Sequence, residues 1–289
     1  MELPSQIDFQ WLIATLETAL REDIGSGDFT TEATVEDSQF AHARIVAKEA
    51  GVICGGWVAD QILKLVDPQL EIRITRPDGE RVAPGDTVLE LSGRARSIVT
   101  GERVALNFLQ RMSGIATYTR KICDIVSQCD VQILDTRKTV PGLRVLDKYS
   151  VTKGGGHNHR LGLYDMALIK ENHVALAGGV SNAVQRVKER MLALGRTIRI
   201  EVEVETKEEF LEALRSGVDY VMLDNFSETE VEEAVQLVKT RGDKLQLEAS
   251  GNITAENVLE YARTGVHRIS MGALTHSVTA FDLSLRIDS

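Results

Sequence analysis

Between residues 135 and 173 the chain reads DTRKTVPGLRVLDKYSVTKGGGHNHRLGLYDMALIKENH, and its basic side chains fall where apolar runs end. Arg137 and Lys138 follow the apolar stretch 131–135, His159 and Arg160 come after three consecutive glycines, and Lys170 closes ALIK. In parallel α/β architectures the carboxyl ends of the strands gather the site, so these groups are placed to converge on an anion. Arginine adds a planar fork that pairs two-pronged with a carboxylate or phosphate. A solvated basic surface joined by glycine turns accounts for one such residue, but poorly for their repetition at successive strand ends.

The acidic groups come later. EVEVE at 201–205 alternates, which puts Glu201, Glu203 and Glu205 on one strand face, and Asp224 ends YVMLD. Carboxylates in a strand covered on both sides need charge partners or a metal. Glu203 and Asp224 are candidates to hold Mg2+ or ribose hydroxyls near a polyphosphate, with ion pairing to nearby cations as the alternative. Ser250, Gly251 and Asn252 in EASGN, and Gly272 in ISMGALTHS, supply small residues and backbone N–H groups that suit a phosphate. His157, His159 and His173 form only a weak metal pattern in strongly basic surroundings, so no zinc site is expected.

These groups need elements to position them. Residues 8–21 read as an amphipathic helix capped by Asp8, with Leu12, Leu16, Ala19 and Leu20 on one face. Residues 22–38 read as loop, 40–48 as strand and 57–66 as helix. Short alternating runs broken by PDG and PGD follow, the texture of antiparallel strands with tight turns. Residues 101–126 turn helical, and roughly 25–112 form a small α/β domain. In the second half, apolar strand candidates at 131–135, 165–170, 197–204, 218–223, 245–249 and 266–270 are separated, in the later part, by helical segments. Helix starts are expected at Ser181, at Thr206 and Ser227, each with a glutamate three residues on, and at Thr254. From 197 onward strand, polar turn and helix recur, which predicts parallel strands closed as a barrel or an open sheet. A complete barrel takes about 250 residues, so any barrel here is reduced or incomplete.

Composition narrows the class. The chain has 289 residues, 43% hydrophobic and 26% charged, enough for a large domain and a smaller partner. A net charge of −10 argues against non-specific nucleic-acid binding. No uninterrupted apolar run is long enough to span a membrane, and MELPSQIDFQWL lacks the pattern of a signal peptide. Cys54, Cys123 and Cys129 form no CxxC pair, which fits free thiols in a reducing compartment and predicts a cytoplasmic location. Neither GxGxxG nor GxxxxGK[ST] occurs, so NAD or another organic cofactor has no support.

GERVALNFLQRMSGIAT, DTRKTVPGLR, GGGHNHRLGLYD, LIKENH, EVEVE, MLDNF and EASGNI run in order from residue 101 to 253, and ISMG extends them to 272. Together they resemble the quinolinate phosphoribosyltransferase family over nearly the whole chain. The resemblance implies an α/β fold in which an N-terminal α/β sandwich with an antiparallel sheet precedes an open, incomplete α/β barrel. The expected domains are 1–112 and 113–274, with the tail 275–289 packing back on the first. It implies a reaction between quinolinate and 5-phosphoribosyl 1-diphosphate that yields nicotinate D-ribonucleotide, CO2 and diphosphate, with Mg2+ accompanying the donor. It also implies a homodimer with shared active sites, assembled in some members as a hexamer of three dimers. Arg103 then reaches the partner subunit's site, while Arg137, His159 and Arg160 line the quinolinate pocket. Lys138 and Lys170 face carboxylates and donor phosphates. Glu203 and Asp224 hold ribose hydroxyls or Mg2+, and Ser250, Gly251, Asn252 and Gly272 surround the 5-phosphate. Lys138, Lys170, Glu203 and Asp224 are the expected catalytic set. Three alternatives remain at this point: a transferase acting on a single-carboxylate ring such as nicotinate, a paralogue associated with molybdate transport genes, and a non-catalytic binder of phosphorylated metabolites.

Overall fold

Asp8 accepts hydrogen bonds from the N–H groups of Gln10 and Trp11 and opens the first helix of this computed structural model, α1 (Phe9–Ile24). The structure describes residues 8–242 and 244–288, so the first seven residues of the segment read for a signal peptide lie outside it. Leu12, Leu16 and Leu20, one turn apart, are buried together. The stretch read as loop contains a short helix, α2 (Phe29–Thr34), whose cap is Asp28 accepting from the Thr31 N–H. Its FTTEAT sequence is too short to show an apolar period, and the capping carboxylate is its main local signal.

β1 (Phe40–Ala47), β2 (Gly51–Val52), α3 (Gly56–Val66), β3 (Glu71–Ile74), β4 (Arg81–Val82) and β5 (Thr87–Arg94) follow. β5 pairs antiparallel with β1 and β3, and their inward residues Ala43, Ile45, Leu89 and Leu91 join Leu12, Leu16, Val58 and Ile62 in one apolar core. Truncating such a leucine to alanine costs about 2–5 kcal/mol. α4 (Ala95–Ile125) is longer than the sequence suggests because it starts directly where β5 ends. Glycine at 114 lets this helix approach the C-terminal segment: a Cβ there would sit 2.2 Å from the Thr279 carbonyl oxygen.

The remaining elements are β6 (Gln132–Leu134), α5 (Arg144–Lys153), β7 (Met166–Ile169), α6 (Glu171–Ala177), α7 (Val180–Ala193), β8 (Arg199–Val204), α8 (Lys207–Ala213), β9 (Tyr220–Asp224), α9 (Glu228–Arg241), β10 (Gln246–Ser250), α10 (Val258–Arg263), β11 (Arg268–Ser270), α11 (Ala273–His276) and β12 (Leu283–Ile287). The chain divides into two compact units. One takes in the chain up to Arg120, Val140–Gly155 and the segment from Ser277, and the other Lys121–Thr139 and Gly156–His276. In the first unit β12 pairs antiparallel with β1, giving the sheet order β12-β1-β5-β3.

The second unit holds a six-stranded parallel sheet in the order β6-β11-β10-β9-β8-β7, with β6 and β7 as its edges. The alternation of EVEV, YVMLD, QLEAS and RIS sorts its two faces. Val202, Val204, Val221, Leu223, Leu247, Ala249 and Ile269 are buried on one face, where α7, α8 and α10 bring apolar residues such as Val184, Phe210 and Val258. In-register pairing puts Glu203 beside Met222, Asp224 beside Ser250 and Glu248 beside Arg268 on the other face. Two starts behave as read. Thr206 accepts from the Glu209 N–H, and Ser227 with Glu230 makes a complete capping box. Two shift: α7 begins at Val180 rather than Ser181, and α10 begins at Val258, with the Thr254 N–H spent on the Asn257 side chain. Glu205 lies beyond the end of β8 and is exposed, so it does not share the face of Glu201 and Glu203.

Candidate active site

Apart from Arg103, the candidate side chains belong to the parallel-sheet unit, and most of them crowd the carboxyl ends of its strands. Arg137 and Lys138 lie just past β6, and Lys170 directly follows β7. Glu203 is near the end of β8, Asp224 ends β9, Ser250 ends β10 and Gly272 lies just past β11. Arg103 is exposed on α4 in the other unit.

Lys170 Nζ forms an ion pair with Glu203 Oε2. Burial pushes the Glu203 carboxyl up, Lys170 opposes that rise, and the Asp224 charge adds to it. The lysine therefore offsets part of a burial cost that favours the neutral acid. Asp224 Oδ2 accepts from the Asn225 side-chain amide at 2.9 Å, and Asn225 Oδ1 accepts from Asn252 at 3.0 Å. Asn225 (φ 59°) and Asn252 (φ 51°) both adopt the left-handed conformation, which asparagine tolerates better than most side chains. Between them in space stands Gly251, at φ 91°, where a Cβ would lie 2.2 Å from Asn225 Oδ1 and 2.8 Å from its backbone nitrogen. A glycine is required there on both counts. The Thr275 hydroxyl donates to the Lys138 carbonyl at 2.8 Å, tying the segment after β6 to the helix after β11.

Arg137 and Arg160 form the cationic part. Both are half-buried, and the Arg137 Nε is buried with no acceptor. Burial and then the Arg137 charge push the Arg160 pKa down, against the pull of Glu201, Asp165 and Glu203. Among the described residues neither guanidinium has a carboxylate at ion-pairing distance. Two forks with no carboxylate at ion-pairing distance make a seat for an anion. The Asp165 carboxylate accepts from the N–H groups of Leu161 and Gly162 and folds the loop that follows Arg160.

His159 is buried instead of lying open on that seat. Its Nε2 is 2.9 Å from Glu201 Oε2 and 3.4 Å from Glu248 Oε1, and Arg268 Nε is 3.3 Å from Glu248 Oε2. Burial alone would depress the imidazole; the two carboxylates outweigh it and raise its pKa to about 9. Nδ1, however, accepts from the Arg160 N–H at 2.7 Å, which it does only while it carries no proton. That contact fits an imidazole whose proton is on Nε2, close to the two carboxylates. Glu248 stays ionised: burial works against it, but His159 and Arg268 prevail. Glu248 and Arg268 escape the sequence reading, because neither belongs to an alternating run of charges like EVEVE.

Two places could take a cation. His159, Glu201 and Glu248 each present a ligand atom, all within 4.8 Å of one another. Arg268 already occupies one side of that buried set, at 3.3 Å from Glu248 and 3.8 Å from Glu201. Glu203 and Asp224 offer only oxygen donors, and the half-exposed Asp224 opens the pair to solvent, the donor chemistry a hard divalent ion takes.

Comparison with known proteins gives the family. The quinolinate phosphoribosyl transferase C-terminal domain matches residues 115–286, and the N-terminal domain of the same family matches 28–113. The chain is 45% identical to the chloroplastic nicotinate-nucleotide pyrophosphorylase [carboxylating] of Arabidopsis thaliana, over 96% of this chain and 83% of that protein. It is 41% identical to a probable nicotinate-nucleotide pyrophosphorylase [carboxylating] of Bacillus subtilis, over 92% and 90%. The solved nicotinate-nucleotide pyrophosphorylase of Francisella tularensis superposes with a TM-score of 0.92 at 38% identity, covering 100% of both chains.

Proposed function

Because the chain belongs to the quinolinate phosphoribosyltransferase family, we propose that the carboxyl edge of its parallel sheet is where it joins quinolinate to 5-phosphoribosyl 1-diphosphate. The enzyme is a nicotinate-nucleotide pyrophosphorylase (carboxylating), which forms nicotinate mononucleotide, CO2 and diphosphate for NAD biosynthesis. The observation that carries the site is the pair Arg137 and Arg160, two guanidiniums with no carboxylate at ion-pairing distance, near the Lys170–Glu203 pair. A substrate with two carboxylates supplies the missing charge.

In this reading Arg137, Arg160 and Lys138 hold the quinolinate carboxylates, with His159 behind them. Lys170 stands between the substrate and the ribose, and Glu203 and Asp224 bind ribose hydroxyls and hold Mg2+. When bound, the ion neutralises charge on the departing diphosphate. Ser250, Gly251, Asn252 and Gly272 receive the 5-phosphate on small residues and backbone N–H groups. The C1–O bond of the donor breaks with oxocarbenium character, and the pyridine nitrogen attacks C1. The ring then carries a positive charge, so the neighbouring carboxylate leaves as CO2. Its bonding pair stays on the ring carbon, which takes a proton. No protein nucleophile is needed. The side chains orient two anions whose mutual repulsion would keep them apart in water, and compensate charge as it moves.

We also assign a homodimer in which Arg103 of each chain completes the other's quinolinate pocket, with assembly to a hexamer open to such a dimer. A dianion in a partly dry pocket calls for cations from several sides, and Arg103 is exposed on its helix. The three cysteines are free thiols, as the cytoplasm keeps them, and no helix among the described residues is long and apolar enough to cross a membrane. The test is release of labelled CO2 from carboxyl-labelled quinolinate. It should require both the ribosyl diphosphate donor and Mg2+; equal release without the donor would refute the order of steps, because decarboxylation waits for the ring cation.

A further inference from the structure

The loop that carries Arg160 leaves the sheet in steps. The Asp135 N–H donates to the His157 carbonyl, the His157 N–H to the Ile133 carbonyl, and the His159 N–H to the Asp135 carboxylate at 2.9 Å. At Arg160 the anchoring by main chain and Asp135 stops, and its N–H is taken up by the His159 ring. The direction of the Arg160 peptide thus depends on how that ring is held. The ring in turn touches two glutamates, on β8 and β10, and Arg268 on β11 spans them, with Nε 3.3 Å from Glu248 and Nη1 3.8 Å from Glu201. Behind Arg268 the Tyr220 ring lies 4.2 Å from the guanidinium carbon. Glu201, Glu248 and Arg268 are all buried, an arrangement that costs several kcal/mol per ion in desolvation and that apolar residues of similar size would avoid. Such a set is weak evidence for stability; what it does supply is a fixed direction for the imidazole.

We propose that Glu248, Arg268 and Tyr220 are positioning residues for the quinolinate pocket, acting through the His159 ring on the peptide N–H of Arg160. None of the three needs to touch substrate. Glu248, together with the nearer Glu201, faces Nε2, which turns Nδ1 to Arg160. Arg268 keeps Glu248 ionised and in place, and Tyr220 backs Arg268 from β9. The proposal rests on the reading of Arg160 as a quinolinate ligand, and it deepens that reading by naming what aims the ligand. Spatial continuity is not by itself energetic coupling, so a coupling measurement decides.

Steady-state kinetics of the full-length enzyme provide it. Glu248→Gln keeps the shape and removes the charge. It should lower kcat/KM for quinolinate about ten- to a hundredfold, the scale of a misaimed ligand, while the KM for the ribosyl diphosphate moves less than about twofold. Combined with Arg160→Lys, its effect should be clearly smaller than in the wild-type background, because both changes spoil one contact. If Glu248→Gln does not fold, Tyr220→Leu should show the same split at about threefold or more. An unchanged quinolinate kcat/KM, an equal rise in both KM values, or full multiplicativity with Arg160→Lys overturns the positioning role while leaving the site intact. A wild-type enzyme that does not turn over quinolinate, or an Arg160→Lys enzyme with wild-type quinolinate kinetics, overturns the underlying reading and this inference with it.

Discussion

Arg160→Gln should make the enzyme worse and no less stable, and the two effects come from the same charge. In the free protein Arg160 sits half-buried beside Arg137, with its pKa pushed down first by burial and then by that neighbour. Two unit charges about 4 Å apart repel by about 4 kcal/mol at an effective dielectric of about 20, and wider spacing gives less. Solvent and the opposing carboxylates of Glu201, Asp165 and Glu203 reduce this, leaving a net penalty of about 0–1 kcal/mol. Removing the charge should therefore hold Tm or raise it by up to about 4 °C. The His159 bond to the Arg160 N–H belongs to the backbone and survives the change. In the complex, losing a charge-assisted pair with a carboxylate costs about 2–5 kcal/mol, or about thirtyfold to a few thousandfold in kcat/KM for quinolinate. The assay is CO2 release at varied quinolinate and saturating donor, set beside scanning calorimetry with and without quinolinate. Quinolinate should raise the Tm of the wild type clearly more than that of the variant. A Tm lowered by several degrees, or an unchanged kcat/KM, would show that Arg160 is a structural cation and refute the argument.

Asp67 offers a test of stability against pH. Hydrogen bonding from Arg94, the Gln69 N–H and Ser97 holds its carboxyl at about 2, below the ordinary 3.8. A depressed carboxyl stabilises the fold above its unfolded pKa, so this contribution is present at neutral pH and lost as pH falls from about 4 through about 2; chemical denaturation across that range should show a shallower fall for Asp67→Asn than for the wild type. Gly251→Ala should raise KM for the ribosyl diphosphate at least about tenfold, since the strained φ and the close Asn225 backbone force the β9 and β10 ends apart; near-wild-type donor kinetics would remove this loop from the phosphate site. Exchanging subunits between Arg103→Ala and Lys138→Ala enzymes, each weakly active alone, should recover up to roughly a quarter of wild-type activity, because half the dimers are mixed and each has one intact site. No recovery after verified exchange would place Arg103 within its own subunit's function.

The candidate site was legible in the sequence wherever a strand end coincided with a change of residue type. ALIK, YVMLD and EASGN each step from an apolar run to a polar candidate, and parallel architecture places those steps along one edge. What sequence could not show is which residues meet across that sheet. Glu248 reads as a single acid in QLEAS, and its neighbours along the chain offer no reason to expect burial. Its environment comes from Arg268 on β11, twenty residues on, and from His159 in the segment between α5 and β7, more than eighty residues back. Arg268 is the same case, since its partners lie on β8, β9 and β10. The short α2 was missed for the opposite reason: its determinant is local, a single cap at Asp28, in a stretch whose acidic, glycine-rich composition otherwise signals turn. Periodicity thus found the elements that bury a face. It could not pair the buried charges, because their stability is a property of pairs, and pairs are made by topology. The residues that aim a ligand are harder to read from sequence than the ligand itself: Arg160 advertises its chemistry by type, whereas Glu248 acquires its role only from the ring it faces.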